Sequence, residues 1–113
     1  MAGANSLGTT EQLAQWAAHF RLEDAPYEVV QRMKALVLDL LRVSAVGARL
    51  PWSRAARKLQ LELGGKGESS VLLSGERLDP ARAAFVNGAY AHACDLDDTH
   101  VGSMHHPGAS VLD

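Results

Sequence analysis

Along the chain, stretches in which apolar residues return every three or four positions alternate with short runs of glycine, proline and small polar residues. Leu13, Trp16, Ala17 and Phe20 recur at helical spacing behind a Thr9/Gln12 pair with capping-box separation, which predicts a first helix with one buried face. Asp24, Ala25 and Pro26 place a cap and an N-terminal proline before a longer helix. Its buried face reads as Val30, Met33, Val37, Leu40, Leu41 and Ser44, with Gly47 as the stop. Pro51 opens a third helix to roughly Leu63, ended by Gly64, Gly65 and Gly67. Ser69 to Ser74 reads as a lone strand or an extended connection, with a turn at Gly75 and Glu76. Asp79 then caps a fourth helix whose first residue is Pro80 and whose pattern runs through Ala84, Phe85, Gly88 and Ala91 toward Asp95. The expected fold class is mostly α, with at most one short strand or extended connection near 69–74.

Length and composition narrow the classes. A chain of 113 residues supports one core, and 47% hydrophobic residues with a net charge of −2 describe a soluble, weakly acidic globular protein. The eleven Lys and Arg are scattered and aromatics are few, which argues against a nucleic-acid partner. The most apolar stretch, Val29 to Val46, is interrupted by Gln31, Arg32, Lys34, Asp39 and Arg42, so it reads as a core helix and no membrane partner is expected. The lone Cys94 permits no internal disulfide, reads as a small buried filler, and fits a reducing, cytoplasmic setting. MAGANSLGTTEQ has neither a basic opening nor an apolar run, which predicts no secretory signal. The GGKG run lacks Walker A spacing and follows no strand, so it is not read as a phosphate loop.

Candidate chemistry concentrates in residues 94–106, CDLDDTHVGSMHH. If the fourth helix reaches Asp95, then Gly88, Ala91, His92 and Asp95 share a face. Pro107 biases His106 toward extended backbone and so fixes the direction of its ring. Asp95-Leu96-Asp97-Asp98-Thr99 matches the D-x-D-x-T pattern of haloacid-dehalogenase-like phosphatases, but that chemistry needs a buried parallel strand before it, and NGAYAHAC is not one. A metal site is a second reading, although no H-E-x-x-H, calcium loop or C-x-x-C is present and no metal ligands are assigned. The third reading is metal-free acid/base chemistry on a carboxylic acid. A histidine moves a proton, an aspartate orients it, and threonine with protonated histidine donates to the substrate's anionic oxygens. Taken singly, His92 reads as a hydrogen-bonded boundary residue, His100 and His105 as solvated, and Asp97 and Asp98 as helix-end caps. The joint presence of Asp95, Thr99 and His106 argues for more.

The run AAFVNGAYAHACDLDDTHVGSMHHPGASVL, with KALVLDLLRVSAVG and LGGKGESSVLLSGERLDP upstream, resembles the signature segments of the MmgE/PrpD family. That family includes 2-methylcitrate dehydratase, cis-aconitate decarboxylase and iminodisuccinate epimerase. The resemblance implies a helical N-terminal domain, a second lid domain, a homodimer in the full-length form, small di- and tricarboxylate substrates, and no metal or other cofactor. It implies that Asp95, Thr99 and His106 are catalytic and line the active site, with His105 beside them as a further substrate-binding candidate. It also implies that residues 1–113 are an N-terminal portion without the lid, and that this portion alone is inactive and prone to associate. The function expected is that of a lyase, a hydro-lyase or decarboxylase. The alternatives are a non-catalytic helical module that self-associates, or a metal-dependent hydrolase using the Asp/His cluster.

Overall fold

The computed structural model describes residues 7–65 and 67–111. The opening MAGANS, Lys66 of the GGKG run and the last two residues lie outside the described residues, and with them part of the leader-peptide and phosphate-loop readings. The chain divides into two compact units, residues 1–31 and 32–113, with the division inside the second helix.

The first unit holds α1 (Thr9–His19), a 3-10 turn at Leu22–Asp24 and the first turn of α2 (Tyr27–Gly47). The Thr9/Gln12 capping box does not form. Gly8 stands at the cap, Thr9 is already helical, and Gln12 donates its side-chain amide to the Leu7 carbonyl at 2.6 Å. Asp24 likewise closes the 3-10 turn, accepting the Arg21 N–H at 3.3 Å. The Trp16 and Phe20 rings pack at 5.0 Å between centroids, yet no residue of α1 is buried and Trp16 is 59% exposed. The predicted buried face of α1 therefore lies open: spacing marks a face that needs a partner, and a 3-10 turn with one helical turn is too small to cover it.

The second unit contains the rest of α2, α3 (Pro51–Glu62), a hairpin of β1 (Ser69–Ser70) and β2 (Arg77–Leu78), α4 (Pro80–Ala91) and α5 (Pro107–Val111). The extended stretch predicted at 69–74 is thus shorter and has an antiparallel partner, with Ser69 opposite Leu78 and Ser70 opposite Arg77. Among the described residues this two-stranded hairpin is the whole sheet, so the fold is mostly α as expected. Val71, Leu78, Ala83, Val86 and Tyr90 form the core, with Ala48, Leu61 and Leu72 packed against it. Burying each of the larger side chains contributes about 1.5–3 kcal/mol.

In α2 the buried stripe is Leu40, Val43, Ser44 and Gly47, while Met33, Val37 and Leu41, expected in the core, are exposed. Only the C-terminal half of α2 is held close, because Gly47 brings its backbone against the Tyr90 carbonyl of α4. No described helix is long and apolar enough to cross a membrane.

Two polar contacts fix the hairpin. Asn87, buried in α4, accepts the Leu72 N–H at 2.8 Å and donates to the Ser70 carbonyl at 3.2 Å. Arg57 of α3 grips both carboxylate oxygens of Glu76, with Nε donating to Oε2 at 2.6 Å. That hydrogen bonding holds the Glu76 carboxyl below its ordinary value, and burial pushes the Tyr90 phenol up.

Candidate active site

Asp79 starts α4 as the sequence predicts: its carboxylate accepts the Arg82 N–H at 3.3 Å and Pro80 takes the first position. The other end differs. The helix stops at Ala91 with His92 as its C-cap, and the chain turns so that Asp95 sits at φ 55°, in the left-handed region that aspartate tolerates. Asp95 therefore does not continue a helical face with Gly88 and Ala91; the turn re-aims it. A second reversal follows at residues 100–105. His100 and His105 pair through their backbones around a 3-10 turn at Val101–Ser103, with Met104 at φ 50°. Pro107 begins α5, leaving His106 at the helix entrance.

These two turns bring five side chains together. His106 Nε2 lies 3.5 Å from Asp95 Oδ1, and its Nδ1 lies 3.4 Å from Asp97 Oδ2. Asp97 Oδ1 is 3.0 Å from His92 Nδ1. The two imidazoles meet edge to face at 4.6 Å. Thr99 Oγ1 stands 3.4 Å from His106 Nδ1 and donates to the Asp97 carbonyl. The burial is graded: the Asp97 side chain is fully enclosed, His106 is 28% exposed and Asp95 is 78% exposed. An enclosed carboxylate between two ring nitrogens orients both rings, while the open carboxylate and the half-open ring face solvent.

Of the residues picked from sequence, Asp95, Thr99 and His106 are thus brought together. His105 is not: it is exposed at the rim of a cleft of about 320 Å³ shared with Gly88, His92, His106 and Ser110. Two residues read singly as a boundary histidine and a cap, His92 and Asp97, are members of the cluster. No periodic signal marks them, because their placement follows from the left-handed turn at Asp95. Asp98 does act as a helix-end group, accepting the Gly108 N–H of α5 at 3.0 Å. A larger cleft, about 540 Å³, is lined by Thr99 with Arg32, Asp39 and Arg42 of α2 and with Asp98 and Pro107.

A mostly helical scaffold that gathers two imidazoles, two carboxylates and a threonine where one helix ends and another begins defines a class of protein with an acid/base cluster at a helix junction. The sequence matches the MmgE/PrpD N-terminal domain over residues 11–112, and the chain belongs to that family. It is 34% identical over 105 residues to cis-aconitate decarboxylase of Aspergillus terreus, covering 93% of this chain and 21% of that protein. It is 37% identical over 103 residues to the cis-aconitate decarboxylase-like protein oryM of Aspergillus oryzae, again 21% of that protein and 91% of this chain. Human cis-aconitate decarboxylase is 34% identical over 82 residues, covering 72% of this chain and 17% of the human protein. The chain spans about a fifth of the length of the curated relatives it matches. No solved structure matches it.

Proposed function

We propose that this chain supplies the N-terminal, proton-transferring face of a lyase that acts on small di- and tricarboxylates, with cis-aconitate as the first substrate to test. The observation that carries the reading is His106 held between Asp95 and Asp97 beside Thr99. In decarboxylation the bond to the leaving carboxylate breaks, carbon dioxide departs, and the electron pair left on carbon takes a proton from protonated His106. In dehydration a neutral His106 takes the proton from the carbon next to a carboxylate while hydroxide leaves with a proton from a second acid. Asp97 fixes the ring, Asp95 stabilises its charged form, and Thr99 turns its one O–H from the Asp97 carbonyl to a substrate oxygen. Arg32 and Arg42, in the cleft that Thr99 also lines, offer guanidinium donors to the remaining carboxylates, with Asp39 and Asp98 beside them in the same lining.

Catalysis on this reading belongs to a longer chain working as a homodimer, with residues 1–113 alone inactive. The exposed Trp16, Phe20, Met33 and Val37 support it, because apolar faces of this kind are ordinarily covered in a working protein. The test is turnover by the native protein captured from its own cells through its N-terminal segment. Release of carbon dioxide or water from cis-aconitate or 2-methylcitrate, undiminished by a chelator, is expected. No turnover of any such acid, or turnover abolished by the chelator, overturns the reading.

A further inference from the structure

We infer that His92, Asp95, Asp97 and His106 form a binding site for a zinc ion, which competes for the residues that would move the proton. One donor atom from each residue lies within 4.8 Å of the other three. Zinc bound at about 2.0–2.1 Å in a tetrahedron needs its donors about 3.3 Å apart. Two contacts to a single donor atom, Asp97 Oδ2, already stand near that value: 3.3 Å from His92 Nδ1 and 3.4 Å from His106 Nδ1. Closing the widest pair takes a movement of the order of an ångström, and the two residues best able to make it are the outer ones. Asp95 is 78% exposed and His92 52% exposed, so rotation of either displaces water rather than packed side chains. Asp97 and His106 form the rigid half, one fully enclosed and the other anchored at the entrance to α5.

The donor set also selects the ion. Two imidazole nitrogens with two carboxylate oxygens suit zinc and its neighbours among the first-row transition metals, whereas magnesium and calcium require shells made almost wholly of oxygen. Zinc on His106 occupies the lone pair that a proton would use. The consequence is a site that is catalytic when empty of metal and blocked when zinc is present.

Calorimetric titration of the native protein with zinc chloride, with magnesium chloride in parallel, tests this directly. Expected are one zinc per chain, no saturable magnesium binding, and visible absorption of tetrahedral type when cobalt(II) replaces zinc. Asp97→Asn and His92→Gln should each weaken zinc at least tenfold, while Cys94→Ser leaves it unchanged. The His92 variant alters an exposed side chain, so it remains informative if the Asp97 variant fails to fold. Absence of saturable zinc binding, binding undiminished in the folded variants, or loss of binding in Cys94→Ser overturns the inference. Heat and cobalt absorption do not depend on turnover, so failure of the lyase reading, with zinc still bound, is distinguishable from failure of this one.

Discussion

Replacing Gly47 with alanine puts one methyl group where the structure has no room for it. An alanine Cβ there would stand 1.9 Å from the Tyr90 carbonyl oxygen, 2.9 Å from its carbonyl carbon and 3.0 Å from the Ala93 side chain. The obstacle is backbone, so no rotamer relieves it, and α2 must move away from the end of α4 by more than an ångström. Overpacking of this kind costs about 1–3 kcal/mol, and an unyielding backbone neighbour puts the cost near the upper end. Alanine returns about 0.8–1.0 kcal/mol in helix propensity. The net expectation is a loss of about 2 kcal/mol, which lowers the melting temperature by roughly 8–16 °C in a domain of this size. Gly75→Ala is the internal control, because nothing lies within 4 Å of the added methyl and the backbone there is not left-handed. It should be neutral or stabilise by about 0.4–1 kcal/mol. Thermal unfolding followed by circular dichroism reads both variants. A Gly47→Ala protein that melts at or above the wild-type temperature would refute the claimed contact between α2 and α4.

Other consequences are open to measurement. Asn87→Ala removes the hydrogen bonds to the Leu72 N–H and the Ser70 carbonyl, and because Leu72 is half-buried and Ser70 exposed, denaturant unfolding should show a loss of about 1–2 kcal/mol. Glu76 has a lowered folded-state value, so its stabilisation is present above the unfolded glutamate value near ~4.3 and is lost as pH falls through the folded one. Glu76→Gln should therefore lower stability at neutral pH by about 1 kcal/mol or less, the pair being partly exposed, and the gap from wild type should close in acid. In Gly108→Ala the new Cβ would stand 2.2 Å from Asp98 Oδ1 and displace the carboxylate that holds the entrance to α5. Turnover in the native protein should fall about tenfold or more, since His106 is misplaced, with a smaller effect on melting. If residues 1–113 instead serve as a self-associating module, sedimentation of the isolated chain should show concentration-dependent oligomers and calorimetry no binding of carboxylates.

Helix positions were legible wherever local chemistry decides them. Asp79 with Pro80, and Pro51 after Gly47, are boundaries set by capping and by a missing N–H, and both stand where the pattern puts them. Burial was less legible, because periodicity tells which face is apolar and not what covers it; Trp16 and Met33 have the right spacing and lie open. The partner strand Arg77–Leu78 is too short to carry an alternating pattern of its own. In the site, Asp95, Thr99 and His106 stood out by their joint presence and by the resemblance to the family's signature segment, and His106 also through the proline that follows it. Asp97 and His92 did not, because their roles depend on the left-handed turn at Asp95 and on α4 ending at Ala91. A helix carried on to Asp95 would have sent those side chains elsewhere.

The most direct test of the account is to incubate the native protein with cis-aconitate in deuterated water and weigh the product, alongside a His106→Gln protein. The account predicts an acid that has lost carbon dioxide and carries solvent deuterium on carbon, formed at least about a hundredfold more slowly by the variant. Recovery of unchanged cis-aconitate from the wild-type protein, or an equal rate in the variant, would contradict it.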